Sequence, residues 1–263
     1  MIPERGPYPD GAPCWPELTT DDPEAATRFY REVFGWTCKD LGPRVWNYTV
    51  CLVDDKPVAG ITPPAVGLSS VKAAWTTYLA TSDLEASAVR VEANNGKLVI
   101  LPSMLSNLAR CATAVDVEGA TFGLWQAETL IGSRLYAKPG GMCWSELYAR
   151  NTKVADPFYE ALFGYEQDQI GDGIDYDYVI WSIGDEPVCG RLRMPYESEG
   201  VPAHWKTYFT VDDCDATEAR IAPVGGEVLV RAYDMPHGRV AMAADPTGAL
   251  FAICQHHDER FTG

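Results

Sequence analysis

The sequence has no long apolar run, no apolar leader and no excess of basic residues. No stretch of about 18 apolar residues occurs, so no membrane-spanning helix is expected. The first residues, MIPERGPYPDG, lack the apolar segment of a secretory signal, which favours a cytoplasmic location. The 37 acidic residues outnumber the 21 basic ones, and the formal net charge of −16 would repel the phosphates of a nucleic acid. We therefore expect neither a membrane nor a nucleic acid as a partner, and either a monomer or a homodimer.

The eight cysteines contain no Cys-x-x-Cys pair. They are scattered through apparent strands and helices of a chain without a signal segment, which favours reduced, buried thiols over a disulfide framework. Alternation along the strands predicts that Cys14 and Cys143 face away from the neighbouring tryptophans, in a core layer.

The sequence repeats itself at a fixed distance. APCWPEL at 12–18 is echoed by GMCWSEL at 141–147, and FYREVFGW from Phe29 by FYEALFGY from Phe158, 129 residues later. KPVAG and WTTY recur as EPVCG and WKTY, and VDVEGATFGLWQ as ADPTGALFAICQ, at the same spacing within one residue. Duplication of a domain explains five blocks at one spacing. We expect two tandem domains, each large enough to bury a sizeable core, joined near 128–139.

Each copy divides into two halves with the same element order, β-α-β-β-β. In the first helix, Ala26, Phe29, Tyr30, Val33 and Phe34 follow the spacing of one apolar helix face. Asp21 or Asp22 can cap this helix, and Gly35 marks its end. In the second copy Pro157 falls inside the equivalent segment, so we expect that helix to begin there, capped by Asp156.

The element order, the FY…FG helices and the terminal DPTGALF strand resemble the vicinal oxygen chelate superfamily, also called the glyoxalase/bleomycin resistance/dioxygenase superfamily. The chain is most similar to actinobacterial two-domain members whose first strand reads CWxEL. The resemblance implies an α+β fold in which a glyoxalase-like domain occurs twice, over residues 11–128 and 140–257. Each domain would pair two βαβββ modules into a curved sheet around a cavity. Since the superfamily hosts lyases, isomerases, dioxygenases and drug-binding proteins, the resemblance specifies fold more than activity.

In metal-dependent members of that superfamily, two imidazoles (or an imidazole and an amide) and one carboxylate hold the ion. The matching positions here are Trp15, Thr76 and Gly123 in the first copy and Trp144, Lys206 and Ala252 in the second. None of these six is an imidazole or a carboxylate, and a divalent ion needs about three N, O or S ligands. We therefore expect a metal-independent protein without a cofactor.

Strand alternation predicts which side chains share the cavity face with the two tryptophans. The predicted substrate-binding residues are Trp15, Glu17, Thr76 and Tyr78 in the first copy and Trp144, Tyr148 and His237 in the second. Glu146 and Lys206 are predicted to form a general acid/base pair, with Tyr208 as proton donor or orienting group. The alternatives are a plain salt bridge or outward-pointing side chains. Glu17 has no lysine opposite, so the first cavity would be acidic and aromatic and would favour a cation.

All four histidines lie in the second copy. His237 is predicted to lie in a turn, either at the cavity mouth with a role in proton transfer or simply on the surface. His256 and His257 are adjacent on a strand and should face opposite ways, which argues against a metal pair.

Three alternatives for the function follow from these residues. The first is an enzyme of secondary metabolism or detoxification that uses acid–base chemistry on a small oxygenated or aromatic metabolite. The second is a binding protein that sequesters a small, cationic compound in drug resistance. A third is a protein whose cavities are filled by side chains and which acts through its surface.

Overall fold

A computed structural model describes residues 7–65, 72–195 and 200–257. The first half of the fold runs from β1 to β8: β1 Pro13–Thr19, α1 Pro23–Phe34, β2 Thr37–Asp40, β3 Thr49–Val53, β4 Lys56–Thr62, β5 Ala74–Ala80, α2 Leu84–Ala93, β6 Lys97–Leu105, β7 Ala109–Val115 and β8 Thr121–Ala127. The second half runs from β9 to β16: β9 Met142–Ala149, α3 Thr152–Phe163, β10 Glu166–Ile170, β11 Tyr178–Ile183, β12 Glu186–Arg193, β13 His204–Thr210, α4 Cys214–Ile221, β14 Glu227–Met235, β15 Gly238–Ala244 and β16 Leu250–His256. The predicted βαβββ order therefore occurs four times. Within the described ranges, no helix has the length and apolar character that a bilayer crossing requires.

Each half forms one eight-stranded sheet with the same strand order, β2-β3-β4-β1-β5-β8-β7-β6 and β10-β11-β12-β9-β13-β16-β15-β14. The two modules of a half meet where β1 pairs with β5, and where β9 pairs with β13, both antiparallel. This register places Glu17 opposite Thr76 and Glu146 opposite Lys206. Directly opposed residues on antiparallel strands point to the same face, so each pair shares one surface of its sheet.

Helix α1 begins and ends as its sequence predicts. The Asp22 carboxylate caps it by accepting a hydrogen bond from the backbone N–H of Ala25, and Gly35 ends it in the left-handed region at φ 72°. Of the predicted apolar face, all but Phe34 is buried.

Helix α3 corrects the prediction that Pro157 starts it. The helix begins at Thr152, and Pro157 lies inside it. The Glu118 carboxylate, from the first half, accepts the backbone N–H groups of Arg150 and Asn151 just before the helix. Asp156 is not the cap, because its two oxygens accept hydrogen bonds from the buried Arg191 guanidinium at 2.8 Å.

The two halves are interlocked through their first helices. Tyr30 of α1 donates a hydrogen bond to Asp245 of the second half at 3.0 Å, and Tyr159 of α3 donates one to Asp116 of the first half at 3.1 Å. The adjacent Phe29 packs edge-on against Phe251 of the other half. The apolar clusters accordingly contain residues of both halves, so the two halves share their cores.

Candidate functional site

A buried glutamate lies at the centre of the first sheet, held by two tyrosines. The Tyr48 hydroxyl donates to Glu17 Oε2 at 2.8 Å, and the Tyr78 hydroxyl donates to Oε1 at 2.9 Å. Trp15 Nε1 donates in turn to the Tyr48 hydroxyl at 2.8 Å. We call these four residues, Trp15, Glu17, Tyr48 and Tyr78, the first glutamate site. All four are buried.

The second half repeats this hydrogen-bonded chain. Tyr178 and Tyr208 donate to the two oxygens of Glu146 at 2.8 and 2.7 Å, and Trp144 Nε1 donates to the Tyr178 hydroxyl at 2.9 Å. We call these four residues, Trp144, Glu146, Tyr178 and Tyr208, the second glutamate site. Tyr148 extends the chain, because its hydroxyl lies 3.1 Å from that of Tyr208. Here Trp144 and Tyr178 are partly exposed, unlike Trp15 and Tyr48.

Lys206 distinguishes the second site from the first, where Thr76 stands at the equivalent position. Its ammonium lies 3.9 Å from the centre of the Tyr148 ring and 3.4 Å from the sulfur of Met242. Burial lowers the pKa of Lys206 to about 8, and the nearby Glu146 carboxylate offsets part of that shift. The lysine therefore loses its charge near pH 8 rather than at the higher pH that is usual for an amine.

The carboxyl of Glu146 is shifted in the opposite direction. Burial raises its pKa, while the hydroxyls of Tyr208 and Tyr178 and the charge of Lys206 lower it in part. A carboxyl and an amine whose pKa values move towards each other can exchange protons with a bound molecule near neutral pH. Burial also raises the pKa of Glu17, and the hydroxyls of Tyr48 and Tyr78 lower it in part, but within the described ranges no lysine contributes to the shift.

The first glutamate site is filled by a ring that the second site lacks. Trp125 stacks on Trp15 with ring centres 5.6 Å apart and meets Tyr78 edge-on at the same distance. The residue 129 positions later is Cys254. Among the described residues, no ring stacks on Trp144. The second site is therefore the more open one.

Three metal-ligating side chains converge beside the second glutamate site. Among the described residues, the ligand atoms of Cys143, Cys254 and His256 all lie within 4.8 Å of one another. Cys143 belongs to the same cluster as Tyr208 and Cys254, so the prediction that it faces away from Trp144 was wrong. The reason is a register irregularity between Tyr208 and Phe209, which places Cys143 outside the simple alternation.

The structure brings together the residues that the sequence predicted for the second half, except His237. Glu146, Lys206, Tyr208, Tyr148 and Trp144 lie on neighbouring positions of β9 and β13. His237 lies in the exposed turn between β14 and β15, next to His256 rather than to Glu146.

Sequence reasoning missed the two tyrosines that hold the glutamates from a neighbouring segment. Tyr48 immediately precedes β3 and contacts Glu17, and Tyr178 is the first residue of β11 and contacts Glu146. The repeat carried a signal, because these tyrosines recur 130 residues apart, as Tyr78 and Tyr208 do. It also missed that Cys254 and His256, two residues apart on one strand, share a face.

The residues at the superfamily's metal positions do not fit a divalent ion. Trp15 and Trp144 use their only polar hydrogen on a tyrosine. A side chain at Gly123 would collide with the Tyr78 ring, and the buried Ala252 has no donor atom. Lys206 carries a positive charge at that position while it is protonated.

Comparison with known proteins places the chain in a family. A family model described as bleomycin resistance protein-like N-terminal matches residues 14–50. CFP32 of Mycobacterium bovis, named as a candidate glyoxylase, is 34% identical over 258 residues, which cover 96% of this chain and 97% of that protein. The anthracycline biosynthesis protein DnrV of Streptomyces peucetius is also 34% identical, over 94% of both chains.

Solved structures share the fold at low identity. The Mn(II)-bound glyoxalase of Novosphingobium aromaticivorans superposes with a TM-score of 0.65 at 14% identity, over 95% of this chain and 84% of that one. The 2,3-dioxygenase LapB of Pseudomonas sp. KL28 gives a TM-score of 0.61 at 14% identity, over 96% and 93%. With a duplicated βαβββ fold and full-length relatives above 30% identity, this chain belongs to the glyoxalase/bleomycin resistance/dioxygenase superfamily.

Proposed function

We propose that the protein binds a small oxygenated or aromatic metabolite at the second glutamate site and catalyses proton transfer on it without a metal ion. The observation that carries the proposal is that Glu146 and Lys206 lie opposite each other on one face of the sheet, with their pKa values shifted towards each other. The superfamily and the relative named for anthracycline biosynthesis support a small-molecule pocket in secondary metabolism. Detoxification fits the relative named as a candidate glyoxylase.

Each polar residue has a distinct role in this proposal. Ionised Glu146 accepts a proton from an acidic O–H or C–H group of the substrate, and the Lys206 ammonium stabilises the resulting oxyanion. Tyr208 donates to Glu146 at 2.7 Å and so orients the carboxylate, while Tyr148 supports Tyr208. Trp144 and Tyr148 supply aromatic surface for binding, and His237 lies at the rim. Trp15, Glu17, Thr76 and Tyr78 stay the predicted binding position for a cation in the first half, which a ligand would enter only by displacing the Trp125 indole.

Deuterium exchange into 1,3-dihydroxynaphthalene tests the chemistry. In D₂O, a deuterated Glu146 carboxyl would deliver deuterium to the carbon between the two hydroxyls, and the Glu146 carboxylate would then remove the original proton. We expect Glu146→Gln to slow this exchange by about 10²- to 10⁴-fold, the usual share of a general acid–base. Affinity for the probe is measured separately. An exchange rate unchanged by Glu146→Gln contradicts the proposal.

Sequestration is the second candidate function, favoured by the match to a bleomycin resistance family model and by the net charge of −16. A binding protein would retain a small ligand with no exchange above the solvent rate. Lys206→Met separates the two functions. Loss of affinity alone supports sequestration, and loss of turnover with affinity intact supports catalysis.

A further inference from the structure

In the first half of the molecule, the Trp125 side chain packs against Trp15 and Tyr78 as a bound aromatic ligand would. The Trp125 indole is 1% exposed, stacks on Trp15 at an interplanar angle of 30°, and meets Tyr78 at 80°. Offset stacking and edge-on contact are the two favoured arrangements of aromatic pairs. Trp15 and Tyr78 therefore form a slot whose shape fits one flat ring.

The second half builds the same two walls. Trp144 and Tyr208 stand at the equivalent positions, and both belong to the hydrogen-bonded chain around Glu146. Trp144 Nε1 is anchored on Tyr178 at 2.9 Å, as Trp15 Nε1 is anchored on Tyr48 at 2.8 Å. Because each indole donates to an equivalent tyrosine hydroxyl, the two indole planes have equivalent orientations. Trp144 therefore presents a ring face to the position that Trp125 occupies in the first half.

The residue that fills the slot differs between the halves. A thiol, Cys254, replaces the Trp125 indole, and Ala137 replaces Tyr8 at a second equivalent position. The surrounding cluster contains Ala137, Val240 and Ala252, all buried, and the partly buried Tyr136 and Met242 pack against it. Lys206 and Glu146 lie at the polar side of the same wall. The second slot thus combines an aromatic wall, an apolar floor and one charged edge, as ligand pockets do.

We propose that this slot, lined by Trp144, Tyr208 and Cys254, takes a flat aromatic ring of the substrate in the place that Trp125 occupies in the first half. The proposal deepens the proposed function and rests on it for the substrate as a whole. It defines the substrate class as a planar aromatic compound whose acidic oxygen points to Lys206 and Glu146.

Free indole is the probe, because it is the group that fills the first slot. In protein labelled with ¹⁵N at the tryptophan indoles, indole should shift the Nε1–H signal of Trp144 in a saturable manner, with a Kd in the millimolar range or tighter. The Trp144→Phe variant assigns that signal. The Trp15 signal should not move, because Trp125 covers its face. Cyclohexanol, a non-planar ring, should bind at least tenfold more weakly.

The variant Cys254→Trp places in the second half the indole that Trp125 supplies in the first half. It should weaken indole binding at least tenfold, whereas Val154→Trp on the exposed side of α3 adds the same indole elsewhere and should leave the affinity unchanged. Cys254→Ala widens the slot and should retain or tighten binding. If Cys254→Trp fails to fold, the titration of the unmodified protein still decides the matter.

Three outcomes would overturn the inference. They are a Trp144 signal that does not move, equal affinity in Cys254→Trp and the unmodified protein, and loss of binding in Cys254→Ala together with loss of a bound metal. The last would assign Cys143, Cys254 and His256 to a metal ion instead. Indole carries no acidic oxygen, so its binding does not report on Glu146. Indole binding without deuterium exchange would uphold the slot and refute the chemistry, and exchange without indole binding would do the reverse.

Discussion

Lys206 lies directly opposite Glu146 across β13 and β9, yet its ammonium contacts the Tyr148 ring at 3.9 Å and forms no ion pair with the carboxylate among the described residues. A buried ammonium without an anion in contact is costly to the folded state. Such a group is more easily explained by a ligand that it serves than by the stability of the fold.

Replacing Lys206 should therefore stabilise the protein. The pKa of Lys206 is lowered to about 8, so the unfolded chain binds the proton more tightly, and the full cost is present below pH 8. At about 1.4 kcal/mol per pKa unit, the cost is at most about 3 kcal/mol. We expect Lys206→Met to raise the free energy of unfolding at pH 7 by about 1–3 kcal/mol.

The sign of the pH dependence provides the check. As pH rises from about 8 towards the ordinary pKa of lysine, the folded protein loses the charge first, and the advantage of the variant should shrink. Urea unfolding at pH 7 and pH 10 measures this, with the exposed Lys153→Met as control. A variant less stable than the original protein at pH 7 would contradict the account.

Binding of an anionic aromatic ligand should follow the same titration. We expect 2-naphthoate, ionised throughout, to bind progressively more weakly as pH rises through about 8. The neutral alcohol 2-naphthylmethanol should show no such change. Calorimetry across this range gives both curves. A dependence that persists in Lys206→Met would assign the titration to another group.

The interlocking tyrosines should matter to stability rather than to ligand binding. Tyr30→Phe removes a hydrogen bond to Asp245 and leaves Trp75 Nε1, which donates to the Tyr30 hydroxyl at 2.8 Å, without that partner. Each unsatisfied buried group costs about 1–3 kcal/mol. We expect a loss of about 2–4 kcal/mol by urea unfolding.

Tyr159→Phe is the equivalent change in the second half, where Trp205 and Asp116 are the partners. It should cost a similar amount, whereas Tyr176→Phe, on an exposed ring, should cost nothing measurable. Two variants with stabilities equal to that of the original protein would show that the halves do not depend on these contacts.

The fold was predictable from the sequence because the same pattern of strands and helices occurs twice at a fixed spacing. The 129-residue spacing and the period-two alternation placed Glu146, Lys206 and Tyr208 on one face, as observed. Alternation failed at Cys143 because a register irregularity there depends on how β9 pairs with β13, which no local pattern encodes.

Contacts between residues far apart in the chain could not be predicted either, because no local pattern encodes them. Tyr178 approaches Glu146 from a strand two places away in the sheet, and Glu118 contacts the start of α3 from the other half. Pro157 predicted the start of α3, yet the helix begins earlier, at Thr152. Asp156 is paired with Arg191, and Glu118 contacts the backbone just before the helix. Comparing the two copies residue by residue, as for Trp125 and Cys254, recovers part of this information from the sequence.

Chelation tests the central claim most directly, since that claim is proton transfer by Glu146 with no metal at the superfamily's positions. Deuterium exchange into 1,3-dihydroxynaphthalene is measured before and after exhaustive dialysis against EDTA, with metal content determined on the same samples. We expect the rate to survive chelation unchanged and to fall in Glu146→Gln. A rate that disappears with the chelator and returns with added manganese, iron or zinc would contradict the account.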